Sequence, residues 1–250
     1  MKKSQRNFLL RILDYCVGSV LEVLSIFTAF LVSFFATKKK NPNILKPGLK
    51  RVTILVHGFI HNPTAWIFLR SRLESRPEVG TLFTLNLGSP FQSIETYTKK
   101  LQRQLFEIKK MAPNELLEVN LVGHSMGGLV SLNYAVENLE RNVQNGVQIV
   151  NVVTLASPLQ GTLVAHLASW CCPCAKEMLP GSSFLKNLHE KANKLNVVPF
   201  SIGCGTDFIV SPKRSFLEGS QNVHEIPYMG HMTLLYSKKI AEFILEGIAS

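Results

Sequence analysis

Short apolar runs alternate with amphipathic stretches along most of the chain after about residue 50. The runs are rich in Val, Ile and Leu and are bounded by turn-forming residues, which is typical of buried parallel strands. The predicted strands cover residues 51–56, 81–87, 117–122, 147–155, 196–203 and 222–227, and the predicted helices cover residues 63–75, 93–111, 127–140 and 235–248. The pattern predicts an α/β fold, a mainly parallel sheet of about six strands with helices on both faces.

The predicted strand at residues 117–122 is followed by Gly123-His124-Ser125-Met126-Gly127 and then by a predicted helix. A G-x-S-x-G pattern in this position is a nucleophile elbow, a turn so tight that it needs glycine two residues before and two residues after the serine. Ser125 would lie at the helix N-terminus, where backbone N–H groups favour developing negative charge. The pattern predicts acyl chemistry with Ser125 as the nucleophile.

A serine nucleophile needs a histidine base and a carboxylate that orients the base. Asp14 and Asp207 are the only aspartates, and Asp207 follows the predicted strand at residues 196–203. The carboxyl ends of strands form the ligand-binding edge of an open α/β sheet, although a turn or helix cap is the alternative role for this residue. His231 follows the last predicted strand and completes the order Ser, Asp, His, whereas its rival His224 lies within that strand.

Acyl transfer also needs two hydrogen-bond donors for the oxyanion of the tetrahedral intermediate. The first expected donor is the backbone N–H of Met126, which follows the nucleophile. The second is the backbone N–H of Phe59, in the loop after the first predicted strand. Gly58 would let this loop bend so that the Phe59 N–H faces the site. An ordinary strand-ending turn is the alternative interpretation of His57-Gly58.

From the first predicted strand onwards, the chain resembles α/β-hydrolases of the lipase and esterase type. It carries HGF after that strand, GHSMG at the elbow, GTDFIVSP around the aspartate and MGHM around the histidine. The segment TLASPLQGT is similar to the TLxTPHxGT stretch of bacterial lipases and of GPI inositol-deacylase-like enzymes, with Ser157 and Leu159 in place of the usual Thr and His. The resemblance implies a minimal α/β-hydrolase whose triad is Ser125, Asp207 and His231.

Between residues 158 and 195 the alternation of strands and helices is lost. The stretch has many apolar residues without a core strand to hold them: Leu163, Val164, Leu167, Trp170, Met178, Leu179, Phe184 and Leu185. In the fold that the resemblance implies, this stretch lies beside the active site. It is expected to form a lid over an acyl pocket or, alternatively, a helix packed onto the sheet.

The first 50 residues differ from the rest in charge and hydropathy. They hold nine Lys and Arg against two acidic residues, so +7 of the formal charge of +10 lies there. Residues 15–36 are mostly apolar, with Glu22 as an isolated charge. A helix of this length reaches about 33 Å, enough to cross the hydrocarbon core of a membrane. We therefore predict a basic segment with a membrane anchor at residues 1–45 and a hydrolase domain at residues 46–250.

Other interpretations of the N-terminal segment fit less well. A cleavable signal peptide is shorter and has small residues at its cleavage site, unlike Phe34-Phe35-Ala36-Thr37. A helix lying in the membrane interface would need a strongly polar face. Basic residues flank both ends, so the side of the membrane that carries the domain stays open. We expect no nucleic-acid binding, because the charge lies beside an apolar segment, where it suits anionic lipid headgroups.

The five cysteines do not form a recognisable site. Cys171, Cys172 and Cys174 lie in a CCPC motif, but no second pair at zinc-binding spacing accompanies them. An odd number is unlike a secreted disulfide framework, so reduced thiols are expected, with a disulfide or lipid-modified thiols as alternatives. Neither a metal nor a cofactor is expected.

The function predicted from these residues is membrane-anchored hydrolysis of carboxylic esters, with lipid or acylglycerol esters as substrates and an acyl-enzyme as intermediate. An acyltransferase, a thioesterase or a peptidase would use the same triad. A non-catalytic membrane scaffold on a hydrolase fold is a further alternative. It is disfavoured because the positions of nucleophile, base, acid and oxyanion donors are all filled.

Overall fold

The computed structural model describes residues 13, 16–29, 41–42, 44–46, 50–138, 145–194, 197–217 and 223–249. In this part of the chain, six strands form one sheet in the order β2-β1-β3-β4-β5-β6, with every neighbouring pair parallel. The strands are β1 (Arg51–Val56), β2 (Thr81–Leu85), β3 (Leu117–His124), β4 (Val147–Leu155), β5 (Phe200–Cys204) and β6 (Val223–Ile226). The predicted parallel sheet is confirmed.

Helices cover both faces of the sheet, as predicted. Residues 16–29 are helical and are called α1. The other helices are α2 (Ile67–Leu73), α3 (Ile94–Lys110), α4 (Met126–Glu137), α5 (Pro173–Glu177), α6 (Ser183–Lys194) and α7 (Lys238–Ala249). Buried residues of α3, α4 and α6 share one apolar core with the sheet, and those of α2 and α7 share the other.

Strand β1 shows why the strands appear as unbroken apolar runs. Val52 and Ile54 pack in the core with α3 and α4, whereas Leu55 packs in the core with α2 and α7. Successive side chains of a strand point to opposite faces, so a strand covered on both faces is apolar throughout. Thr53, the buried polar residue of β1, donates its hydroxyl to the carbonyl oxygen of Val79 at 2.7 Å.

Some element boundaries differ from the prediction. Strand β5 begins at Phe200 rather than at residue 196. The last helix begins at Lys238 rather than at residue 235, because Thr233–Tyr236 form a 3₁₀ turn and the extended backbone of Ser237 separates the two. The predicted helix at residues 63–75 is divided into a 3₁₀ turn at Pro63–Trp66 and helix α2.

The insertion at residues 158–195 is helical, with a 3₁₀ turn at Leu163–Leu167 followed by α5 and α6. Its inner residues Met178 and Leu185 belong to the core that contains α3 and α4. Leu167 and Trp170, in contrast, are among the most exposed apolar side chains. The insertion therefore packs onto the domain on one side and presents apolar surface on the other.

The predicted membrane anchor at residues 15–36 is described only over residues 16–29, and its remainder lies outside the described residues. Within the described ranges, no helix combines the length and the hydropathy that crossing a membrane requires. The division of the chain at residue 45 stays a prediction.

Candidate active site

Ser125 lies in the turn between β3 and α4, with φ of 53° and ψ of −126°. A positive φ is rare for a residue with a side chain; such strain costs about 1–3 kcal/mol and clusters at functional sites. The Ser125 N–H donates to the Leu155 carbonyl at 2.8 Å, and the Gly128 N–H donates to the Ser125 carbonyl at 3.0 Å. These bonds hold the hydroxyl at the carboxyl edge of the sheet.

Two glycines allow the backbone of the elbow to fold so tightly. A Cβ on Gly123 would lie 2.4 Å from backbone atoms of Gly127 and Gly128. A Cβ on Gly127 would lie 2.1 Å from the carbonyl oxygen of Val56. Both distances are far below van der Waals contact in a close-packed interior. The two outer positions of G-x-S-x-G therefore require glycine because of close backbone approach.

The loop after β1 passes directly beside the nucleophile candidate. A Cβ on Gly58 would lie 3.0 Å from Cβ of Ser125, and the φ of Gly58 is outside the left-handed region. The close approach to Ser125 therefore favours glycine at position 58, and the orientation of the Phe59 N–H towards the site stays a prediction. Met126 begins α4, so its N–H has no partner within the helix. The Phe59 N–H makes no hydrogen bond to a described residue.

Asp207 and His231 form a buried pair at the same edge of the sheet. Nδ1 of His231 lies 2.7 Å from Oδ2 of Asp207. Oδ1 of Asp207 accepts the N–H groups of Ile209 and Val210, each at 2.8 Å. The carboxylate thus stabilises its own turn and orients the histidine, so the two interpretations of Asp207 are compatible. With Nδ1–H donating to a carboxylate, Nε2 of His231 is the acceptor, as a general base requires.

His124 connects this pair to the elbow, a role that its position in the motif did not predict. Its Nε2 lies 2.9 Å from the carbonyl oxygen of His231, and the centroids of the two rings are 4.8 Å apart. Burial lowers the pKa of His124 well below its usual value, and electrostatic repulsion from the adjacent His231 ring acts in the same direction. His124 is therefore neutral and donates its Nε2–H to that carbonyl. Because it precedes Ser125, the contact brings the His231 loop to the elbow.

The rival histidine is engaged elsewhere. His224 stacks on Phe243 with 4.3 Å between ring centroids, and its Nε2 lies 3.2 Å from a carboxylate oxygen of Glu246. His57 uses Nε2 to accept the N–H of Leu87 at 3.0 Å. Both contacts hold local structure together.

Glu22 of α1 reaches the loop that carries His231, and no sequence pattern had indicated this contact. Its carboxylate accepts the N–H groups of Met232 and Thr233 at 2.8 and 3.0 Å, and the Thr233 hydroxyl at 2.8 Å. The residue is 3% exposed. Gly230 leaves room for it, because a Cβ there would lie 2.3 Å from Oε2 of Glu22. The partners are 210 or more positions apart in the chain, beyond the reach of local periodicity.

The buried thiols of Cys204 and Cys174 are unsuited to act as nucleophiles. Burial raises the pKa of Cys204 well above its usual value, and the charge of Asp207 raises it further. Burial likewise raises the pKa of Cys174 to about 12, and its thiol contacts the Pro90 carbonyl at 3.3 Å. A protonated thiol is a poor nucleophile and a poor metal ligand. Among the described residues, no cluster of three or more His, Cys, Asp or Glu could hold a metal ion.

Comparison with known protein families gives one match. The family described as "Putative serine esterase (DUF676)" matches residues 48–180, just over half of the chain. The matched region contains the loop after β1, the elbow and the first part of the insertion. Among curated proteins, none matches the chain in sequence.

Several solved structures are similar. A lipase of Bacillus licheniformis has 18% identity and a TM-score of 0.57, with 80% of this chain and 91% of that chain covered. Lipase B of Aspergillus fumigatus has 14% identity and a TM-score of 0.64, with coverage of 84% and 56%. A phospholipase of Legionella pneumophila has 15% identity and a TM-score of 0.52; 62% of this chain matches, spanning only 37% of that one. These similarities confirm the predicted α/β-hydrolase fold.

Proposed function

Because the chain belongs to this family of serine esterases, we propose that it hydrolyses carboxylic esters of lipids, with Ser125 as nucleophile, His231 as base and Asp207 as the acid that orients it. The observation that carries the proposal is a strained Ser125 whose chain neighbour, His124, contacts the loop of a buried Asp207–His231 pair. No cofactor takes part in this scheme.

In the proposed reaction, Nε2 of His231 takes the proton of the Ser125 hydroxyl while the oxygen attacks the ester carbonyl carbon. The backbone N–H groups of Met126 and Phe59 donate hydrogen bonds to the oxyanion. The carbon–oxygen bond to the alcohol then breaks, and His231 gives its proton to the leaving alcohol. Water, deprotonated by the same histidine, attacks the acyl-enzyme, which releases the acid and restores Ser125.

A lipid substrate is supported by the unusual exposure pattern of α1. The residues of this helix that face the domain are small or acidic: Gly18, Glu22 and Ala29. Its large apolar residues face outward: Val17, Val20, Leu21, Val23, Leu24, Ile26 and Phe27. Phe208, next to Asp207, is exposed as well. Exposed apolar surface of this kind is typical of membrane or lipid contact.

We expect attachment to a membrane through α1. An interfacial helix normally needs a polar face of its own, but here the hydrolase domain covers the face that would otherwise meet water. The lysines at positions 38–40 and the basic residues before α1 suit anionic headgroups. The similar Legionella protein is described as a phospholipase, which also favours a lipid ester. Extraction with alkaline carbonate would release a surface-bound chain and leave a membrane-spanning one behind.

A fluorophosphonate probe tests the nucleophile, together with hydrolysis of p-nitrophenyl butyrate. Ser125→Ala should abolish both labelling and hydrolysis, because the probe reacts only with an activated serine. Ser71→Ala is the matched control, since Ser71 is an exposed serine of α2. Labelling that survives in the Ser125 variant would contradict the proposal.

The base and its acid are tested in the same assay. We expect His231→Ala to lower kcat by roughly 10³-fold or more and Asp207→Asn by about 10⁴-fold, as in serine triads generally. His224→Ala should leave kcat nearly unchanged. Similar losses in the two histidine variants would refute the assignment. Product analysis with added glycerol separates hydrolysis, which yields free acid, from acyl transfer, which yields glyceride.

A further inference from the structure

A single peptide group, the one that links His231 to Met232, is held from both sides. Its carbonyl oxygen accepts the Nε2–H of His124 at 2.9 Å. Its N–H donates to the carboxylate of Glu22, 2.8 Å from Oε1 and 3.0 Å from Oε2. His124 belongs to the elbow, whereas Glu22 belongs to α1. The backbone next to the candidate base is therefore fixed between two separate parts of the chain.

The contact between α1 and the site is more extensive than one hydrogen bond. Glu22 also accepts the N–H and the hydroxyl of Thr233, at 3.0 and 2.8 Å. One turn earlier, Gly18 packs so closely that a Cβ on it would lie 2.6 Å from the hydroxyl oxygen of Thr206, the neighbour of Asp207. Helix α1 thus contacts both loops that supply the candidate acid and base.

Burying a carboxylate is unfavourable unless hydrogen bonds compensate for the lost water. Glu22 is compensated by two N–H groups and a hydroxyl, all within residues 232–233. Loss of the carboxylate would leave those donors unpaired under a helix and would free the segment that follows His231. The orientation of the loop that follows His231 therefore depends on the Glu22 carboxylate, which binds its backbone directly.

We propose that Glu22 is a positioning residue of the esterase site and that α1 is part of the catalytic unit, an inference that rests on the proposed function. The hydrogen bonds of Glu22 go to residues 232 and 233 and not to the imidazole of His231; it acts by holding the backbone that follows His231. His231 has to direct Nδ1 to Asp207 and Nε2 to Ser125 at the same time. Displacement of a catalytic group by about 1 Å is enough to reduce turnover by roughly 10²-fold.

The test uses the full chain and a water-soluble ester, so that membrane binding does not enter the measurement. Glu22→Ala should lower kcat on p-nitrophenyl butyrate by about 30- to 100-fold with KM changed less than about threefold. Glu22→Gln keeps one acceptor oxygen and should retain intermediate activity. Glu242→Ala, at an exposed glutamate of α7, is the matched control and should behave as the unaltered chain does. An unchanged kcat in Glu22→Ala would overturn the inference.

Rescue by a small carboxylate separates positioning from a general loss of structure. Added acetate should raise kcat of Glu22→Ala several-fold, because it can occupy the vacated space and accept the same N–H groups, whereas chloride at equal ionic strength should not. If acetate and chloride act alike, the positioning role is refuted. If the unaltered chain neither turns over ester nor reacts with the fluorophosphonate probe, the proposed function fails instead.

A second pair of variants covers the case in which Glu22→Ala does not fold. Thr233→Val removes one donor to the carboxylate and keeps the backbone N–H. The effects of Glu22→Gln and Thr233→Val on kcat should be non-additive in the double variant, because both act through one contact. Additive effects would contradict the inference.

Discussion

Helices α1 and α4 have similar compositions, since each holds a single acidic residue and no basic residue over its described length. In α4 every residue except the last, Glu137, is buried. In α1 the arrangement is reversed, with Glu22 buried and the side chains of Leu24 and Phe27 exposed. Composition alone therefore does not determine which face of an apolar helix meets the protein.

The difference follows from what each helix packs against. Helix α4 lies in a core formed by the sheet together with α3 and α6, so it meets apolar side chains on nearly all sides. Helix α1 meets two loops whose backbone polar groups would lack partners if an apolar helix covered them. Glu22 supplies the acceptor oxygens that Met232 and Thr233 need. A buried charge in an apolar helix thus indicates a polar surface opposite it.

The largest expected effect concerns the glycines of the two helices. Gly127→Ala should prevent folding or lower the free energy of unfolding by more than about 4 kcal/mol, because its Cβ would meet the backbone oxygen of Val56. Gly18→Ala should cost less, since its Cβ would meet a threonine side chain, Thr206, and alanine favours a helix. Urea unfolding of both variants measures the difference. The opposite ranking would show that α1 packs more rigidly than α4.

A leucine in each helix gives a matched pair for the next effect. Leu132 of α4 is fully buried, whereas Leu24 of α1 is 56% exposed. We expect Leu132→Ala to lower the free energy of unfolding by about 3 kcal/mol and Leu24→Ala to change it by less than about 0.5 kcal/mol. Urea unfolding measures both values. An equal decrease in the free energy of unfolding of the two variants would mean that the outward face of α1 is covered in solution.

The sequence predicted α4 well and α1 poorly, for a physical reason. The elbow before α4 is specified by neighbouring residues, since Gly123 and Gly127 act within one turn and follow a strand that is buried almost throughout. Helix spacing in α1 shows which residues share a face but not which face meets the domain. That choice depends on Gly230 and Thr233, more than 200 positions away.

The same distinction applies inside the candidate site. Asp207 and His231 could be selected from the sequence, because each follows a strand and lies at the carboxyl edge of the sheet. The contact of His124 with the carbonyl of His231 could not, since it depends on how the loop after β6 approaches the elbow. The late start of the last helix could not be selected either, since it depends on the 3₁₀ turn at Thr233–Tyr236 and the extended backbone of Ser237.

A charged substitution on the outward face of α1 tests what this face contacts. Leu24→Asp should weaken binding to vesicles of phosphatidylcholine and phosphatidylglycerol by roughly ten- to a hundred-fold, the loss expected for one buried leucine. Leu116→Asp is the control, since Leu116 is a comparably exposed leucine outside α1. Flotation of vesicles measures the bound fraction. Equal binding of the two variants would exclude α1 as the membrane contact.

The smallest expected effect separates the two side chains that hold the His231–Met232 peptide. Burial lowers the pKa of His124, so the unfolded chain binds a proton below about pH 6.5 that the folded chain does not bind. The folded state is therefore favoured fully above that pH, and stability is lost as the pH falls, by at most about 1.4 kcal/mol per pH unit for one proton. His124→Gln keeps an N–H donor and cannot titrate. Its free energy of unfolding, measured in urea, should therefore change less between pH 7 and pH 5 than that of the unaltered chain.

Part of the slope should remain in that variant, because burial also lowers the pKa of His61. In the double variant with His61→Gln, the free energy of unfolding should therefore depend on pH less still.

Glu22 is the second group that holds the same peptide. If His124→Gln retains turnover while Glu22→Ala loses it, the backbone beside His231 is held chiefly from α1. If His124→Gln loses as much, both supports are needed. An unchanged slope would mean that His124 is charged in the folded chain, in conflict with its buried position between the elbow and His231.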